Sequence, residues 1–262
     1  MHSRLYAIAQ KHRRRKREKE IALSITSLDQ HLEGSSNTDL KILEFGCGAG
    51  FQLPYLKRLG KVFACDVTEQ LDFTGAFDDI EFHKCSIEET SFDSDCFDII
   101  FSNHVIEHID DFDACFSELR RLGKANCIYA FVVPTSLWLL LSIPGQYYIK
   151  LMKIFGINVC ESSGTRTQNI RGVPEKKYNR RKGISKLLPL GHGKYKRFSE
   201  AFFAFHKQTW RKLFEHYGFN IETIRPLLLY GPSECPIVPT TKLFNKFGIV
   251  SSILLIMKKK FK

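Results

Sequence analysis

Two rhythms of apolar residues alternate along this chain. Short, largely apolar runs at residues 41–45, 61–65, 80–83, 97–102 and 126–133 predict five strands. Between them, apolar residues three and four apart predict helices. Residues 51–59 form one, with Pro54 tolerable in its first turn. Residues 112–122 form another, with Phe112, Cys115, Phe116 and Leu119 along one face. Further on, residues 207–217 predict a helix ended by Gly218 in the C-cap position. Residues 219–230 contain a strand broken by Pro226, and residues 249–257 a final strand before Lys258-Lys259-Lys260. Strands alternating with helices predict an α/β domain whose parallel sheet is covered on both faces.

Two segments depart from that rhythm. Residues 4–33 predict a helix with intermittent apolar contacts at Tyr6, Ile8, Ile21, Leu23, Ile25 and Leu28. Between these contacts, the charged run from Lys11 to Glu20 is expected to be a solvated helical face, or else a patch for phosphates or lipid headgroups. Gly34-Ser35-Ser36-Asn37 ends the helix. The second departure, residues 137–197, joins an apolar stretch (137–157) to a basic, Gly-rich one. Residues 165–197 hold eleven Lys or Arg and one acid, Glu175. The chain therefore divides into a basic helix (1–37), a first half-domain (38–136), an insertion (137–197) and a second half-domain (198–262).

The strongest chemical signal is Glu44-Phe45-Gly46-Cys47-Gly48-Ala49-Gly50, where the first strand turns into a helix. Glycines there let the backbone turn sharply and approach a ligand without a Cβ in the way. In doubly wound sheets, ligands bind at the carboxyl ends of strands near the switch point. A dinucleotide fingerprint needs its third glycine one residue later, where Phe51 stands. Glu44 would also repel a pyrophosphate, which argues against NAD and suits a ligand with an ammonium and a sulfonium group. Asp66 closes the second strand, twenty residues after Gly46, where an acid can accept hydrogen bonds from two ribose hydroxyls.

With these elements in order, the chain resembles the class I, Rossmann-like S-adenosylmethionine-dependent methyltransferases, similar to those of quinone, lipid and glycan biosynthesis. Glu44 to Gly50 resembles their motif I, and Asp66 their ribose-binding acid. Phe97-Asp98-Ile99-Ile100-Phe101-Ser102 resembles their fourth strand, and Ser102 to Ile109 the segment after it. Residues 209–219 resemble the later helix that ends in Gly-Phe. The similarity covers roughly residues 38–135 and 205–258.

The resemblance implies a seven-stranded sheet with strand seven antiparallel between five and six. It implies S-adenosyl-L-methionine as cofactor. The glycine loop (Gly46, Cys47, Gly48, Gly50) would face the methionine part, with Glu44 holding it electrostatically and Asp66 holding the ribose. Ser86 and Ile87 would flank the adenine; many members carry Asp where Ser86 stands. Asn103 and His104 would line cofactor and acceptor.

Methyl transfer from a sulfonium is an in-line displacement, in which the enzyme aligns the acceptor and excludes water. An oxygen acceptor must also lose a proton, which a His or Glu can take. His104 is the first candidate for that base, ahead of Glu107, His108, His192 and His206; packing against the cofactor without proton transfer is its alternative. His104-x-x-Glu107-His108 matches a zinc-protease string, but the wrong context surrounds it. Some methyltransferases acting on RNA ends or quinone precursors have a Glu-x-x-Glu-His metal site. Here His104 replaces the first Glu, and no metal is expected.

Net charge is +11, which favours anionic neighbours. The apolar and basic halves of the insertion suit a membrane surface, or a lid over the acceptor. RNA is the competing partner, yet the basic run holds only Tyr178 and Tyr195, short of the interleaved aromatics that a stacking platform requires. The eight cysteines include no C-x-x-C pair and read as reduced thiols of a cytoplasmic protein. The charged N-terminal stretch has no apolar core behind it, unlike a secretory signal. The expected function is methylation, most simply O-methylation, of a small, glycan or lipid-linked acceptor. RNA methylation, aminopropyl transfer and a non-catalytic cofactor-fold protein are the alternatives.

Overall fold

The computed structural model describes residues 2–32, 40–69, 77–154, 191–230 and 241–260. Seven strands form one sheet: β1 (Leu40–Phe45), β2 (Gly60–Asp66), β3 (Glu81–Lys84), β4 (Phe97–Asn103), β5 (Gly123–Pro134), β6 (Phe219–Pro226) and β7 (Ser252–Lys259). Their order is β3-β2-β1-β4-β5-β7-β6. The first five strands are mutually parallel, while β7 runs antiparallel to both β5 and β6. The chain starts outward from β1 towards β3 and then returns to β4 on its other side. The loops at the carboxyl ends of β1 and β4 therefore open a crevice between them.

Strand alternation sends side chains to two cores. Leu43, Phe45, Ile100, Tyr129 and Phe131 belong to one, beneath α3 (Phe112–Leu122), α5 (Phe198–Ala204) and α6 (Lys207–His216). Two of its buried polar side chains find backbone acceptors: Trp210 Nε1 donates to the Pro134 carbonyl (2.9 Å) and the Tyr129 hydroxyl to the Leu119 carbonyl (3.0 Å). On the opposite face, Ile42, Val62, Ala64, Phe101 and Leu254 lie under α1 (His2–Leu32) and the short α2 (Leu53–Leu56). Ile21, Ile25 and Leu28 of α1 are buried there. Each such side chain stabilises docking by roughly 2 kcal/mol, enough to fix the helix on the sheet.

Several expectations shift. The helix expected over 51–59 contracts to one turn, Leu53–Leu56, because Gly60 already begins β2. A Cβ at Gly60 would stand 2.2 Å from the Leu40 carbonyl oxygen, so that close strand approach needs glycine. The apolar start of the insertion forms α4 (Ser136–Ile154), with Pro144 inside the helix. β7 begins at Ser252 rather than 249, because Gly248 turns the chain with φ +67°. The charged run 11–20 is mainly exposed as expected, except for its last member: Glu20 is 1% exposed. The reason is helical period, which puts Glu20 on the buried stripe with Ile21, Ser24, Ile25 and Leu28. Most of the basic stretch 165–197 lies outside the described residues.

Candidate functional site

Between β1 and β2 the glycine loop folds as the sequence predicts. Gly46, Gly48 and Gly50 have φ of +69°, +54° and +73°, the left-handed region that favours glycine. At Gly46 there is a second constraint, since a Cβ would meet Val105 Cγ2 at 2.4 Å. The Gly46 N–H donates to the Cys65 carbonyl (2.8 Å) and the Gly48 N–H to Asp66 Oδ2 (2.9 Å). The other Asp66 oxygen accepts from the Thr68 N–H and hydroxyl, each at 2.8 Å. Loop and strand-end acid are thus built as one unit.

A cavity of about 350 Å³ opens beside that unit. Gly46, Asp66, Ser86, Ile87, Val105 and His104 are among its walls. Glu44, Cys47, Gly48, Gly50 and Asn103 sit outside that lining, around the strand ends that frame it. Glu44 is fully buried and neither carboxylate oxygen has a hydrogen-bond partner. Burial, aided by repulsion from Asp66, pushes it well above the usual carboxylate range. Asn103 Oδ1 is also buried without a partner. Ser86 donates to Glu88 Oε2 (2.8 Å), and Glu88 also faces the cavity. Sequence reading missed Glu88; its only signal is an acid two residues beyond the position where one was sought.

The wall opposite is made by His104, just past β4 and held at φ +58°. Its N–H donates to the Val132 carbonyl (2.9 Å). Its imidazole lies between two buried acids. Nε2 is 3.5 Å from Glu20 and 3.1 Å from the Tyr230 hydroxyl, and Nδ1 is 3.4 Å from Glu107. Ser252 donates to Glu20 at 2.5 Å, and the Lys16 ammonium stands 4.0 Å over the Tyr230 ring.

Burial alone would lower the His104 pKa. The charge of Glu20 and the contacts with Glu107 outweigh it and raise the group to about 9. For Glu20, burial acts upward, but His104, Lys16 and Ser252 together carry it down to about 2. At neutral pH this is a charged pair with His104 as imidazolium. Neither Glu20 nor Tyr230 is legible as a site residue in the sequence.

Beside this group, His192 packs between Trp138 (ring centroids 4.5 Å) and His108 (5.0 Å). Burial pushes it down to about 4, against the attraction of Glu107, so it stays neutral. Glu107, His108 and His192 bring ligand-type atoms within 4.8 Å of one another. These are donor types that divalent transition metals accept; Glu107 shares the one imidazolium charge of His104 with Glu20, and both its buried carboxylate oxygens lack a hydrogen-bond partner. His206 lies elsewhere: exposed, it caps α6 by accepting from the Gln208 N–H (3.3 Å).

Residues 43–131 match the methyltransferase domain family. The mitochondrial ubiquinone biosynthesis O-methyltransferase of Rattus norvegicus is 31% identical over 109 residues, 36% of this chain and 32% of that protein. Its Bos taurus counterpart is 32% identical over the same length, 36% of this chain and 30% of that protein. The matched stretch spans about a third of these curated relatives. A solved SAM-dependent methyltransferase of Thermotoga maritima superposes with TM-score 0.56 at 14% identity, covering 95% of this chain and 91% of that one. The 1,6-didemethyltoxoflavin-N1-methyltransferase of Burkholderia thailandensis, solved with S-adenosylhomocysteine, gives 0.53 at 13% identity, covering 92% and 79%. At such identities these structures establish the fold, which is that of SAM-dependent methyltransferases.

Proposed function

We propose that this chain, whose residues 43–131 form a methyltransferase domain, transfers the methyl group of S-adenosylmethionine to a hydroxyl oxygen of a small aromatic acceptor. The observation that carries the cofactor assignment is Glu44, a fully buried carboxyl group without a partner at the end of β1. Burying such a group unpaired costs several kcal/mol, and a ligand cation relieves that cost. The donor set fits the cofactor. Glu44 would meet the ammonium of its methionine part. Asp66, fixed by Gly48 and Thr68, would accept from the ribose. Ile87 would pack on adenine, and Glu88 would supply the acceptor that Ser86 lacks.

When bound, the cofactor would supply an electrophilic methyl group to the acceptor oxygen and leave as the thioether S-adenosylhomocysteine, the acceptor's hydroxyl proton having passed to solvent. The chain aligns the acceptor and excludes water. His104 is the group proposed to touch the acceptor oxygen. With a pKa of about 9, it is a base only in the alkaline range. At neutral pH it would act as an imidazolium that favours the ionised acceptor oxygen, with Glu20 and Glu107 holding its charge and orientation. That role suits a phenol-type hydroxyl, and the ubiquinone-pathway relatives support a quinone precursor as its class. Such acceptors are lipophilic, which agrees with a place at a membrane.

The test is incubation with S-adenosylmethionine and a panel of catechols and hydroxylated quinone precursors, read by mass spectrometry. A methylated product is expected, with S-adenosylhomocysteine formed in equal amount. His104→Gln should lower kcat by about a hundredfold and leave cofactor affinity unchanged. Unchanged kcat in that variant would remove His104 from the reaction.

A further inference from the structure

The loop 241–250 closes the same sheet edge as His104. Thr241 and Leu229 exchange two backbone hydrogen bonds (2.8 and 3.0 Å), and the next residue, Tyr230, reaches His104. Beyond that bridge the chain makes a 3-10 turn at Asn245–Phe247 and returns to Ser251. The turn is firmly held. The Asn245 side-chain amide donates to the Leu227 carbonyl (2.5 Å), Gly248 takes the left-handed conformation, and the Ile249 N–H donates to Phe244 (3.3 Å).

This fixed turn presents apolar side chains to solvent: Leu243 is 72% exposed, Phe247 76%, Ile249 45% and Phe244 38%. Lys242 and Lys246 are exposed among them, and no acid occurs in the chain after Glu234. α4 adds a second stripe from the same edge, where the Thr135 hydroxyl donates to the Val250 carbonyl (2.6 Å). Its exposed Leu140, Tyr147, Leu151 and Ile154 are spaced by seven, four and three, which is one helical face.

We propose that loop 242–249 is a docking surface for an anionic phospholipid membrane. Its apolar side chains enter the interface while Lys242 and Lys246 meet headgroup phosphates. Charge selects this occupant. A second copy of a chain with net charge +11 would set lysines against lysines, whereas an anionic bilayer matches both the cations and the apolar tips. Docked this way, the edge that carries Tyr230 and His104 faces the membrane. The inference does not rest on the methyl-transfer reading, because it concerns a surface outside the cavity.

Flotation of the full chain with phosphatidylcholine vesicles, with and without phosphatidylglycerol, tests it. Binding is expected only with phosphatidylglycerol. The double variants Leu243→Ser/Phe247→Ser and Lys242→Glu/Lys246→Glu should each weaken it by about tenfold or more, with unchanged melting temperature because all four side chains are exposed. Binding by either variant at wild-type strength would overturn the proposal, as would absence of binding by the wild type. So would loss of binding only when Lys176, Lys177, Arg180, Arg181 and Lys182 are neutralised. A dimer seen by size exclusion that the Leu243→Ser/Phe247→Ser variant abolishes would assign the patch to a second copy instead.

Discussion

Glu44 and Glu20 are both fully buried glutamates at the carboxyl end of the same sheet, yet their surroundings are opposite. Glu20 has its countercharge built in: His104 at 3.5 Å, Ser252 donating, and a pKa drawn down to about 2. Glu44 has no hydrogen-bond partner, and burial drives it the other way. A buried acid whose partner comes from the chain is part of the architecture. One without a partner marks where something else must supply the charge. The side proposed to meet the acceptor therefore has Glu20 balanced by the chain itself, and the side proposed to hold the cofactor leaves Glu44 without a partner.

The contrast can be broken most forcefully at Glu20. Glu20→Gln removes one member of a buried ion pair, and denaturant unfolding should register a loss of about 3 kcal/mol. A variant as stable as wild type would mean that α1 does not bury this charge against His104. Next in size, Asp66→Ala should weaken S-adenosylhomocysteine binding by about 30-fold, equivalent to roughly 2 kcal/mol of lost charged hydrogen bonds. Calorimetry showing wild-type affinity would sink its assignment to the ribose.

Glu44→Gln should split two readouts that Glu20→Gln does not. Binding of S-adenosylhomocysteine should fall by about tenfold, while the unliganded protein keeps or gains stability, because a stranded carboxyl group is gone. The smallest effect is in pH. The folded pKa of His104 is raised, so its contribution to stability is full below the unfolded value. That contribution is lost as pH rises through about 9. Melting temperatures from neutral to alkaline pH should decline less in His104→Gln than in wild type. Parallel declines would show that the pair is not charged.

The same contrast separates what the sequence makes legible. The glycine loop, Asp66 and the strand rhythm are local signals: each is set by neighbours a few residues away, and the sheet order of β1 to β7 follows them. Glu20 ends a run of charges, so its composition reads as solvent-facing, and only its spacing from Ser24 and Leu28 marks the inner stripe. It meets Ser252 from 232 residues away, a contact that no local pattern encodes. Tyr230 follows a strand ended by Pro226 and gains its role only when the Leu229–Thr241 bridge brings it to His104. His192 is legible as a candidate, but its neutrality is a product of packing against Trp138.

The most direct test of the proposed cofactor side is calorimetric titration with S-adenosylhomocysteine in two buffers of different ionisation enthalpy, comparing wild type with E44Q and using NAD as control. Burial raises the Glu44 pKa in the unliganded protein, and a ligand ammonium should draw it back down. Wild type should therefore bind with release of a proton, E44Q more weakly and without that release, and NAD should not bind. Absence of S-adenosylhomocysteine binding, or heats that do not depend on buffer in wild type, would contradict the assignment of Glu44 to a cationic ligand.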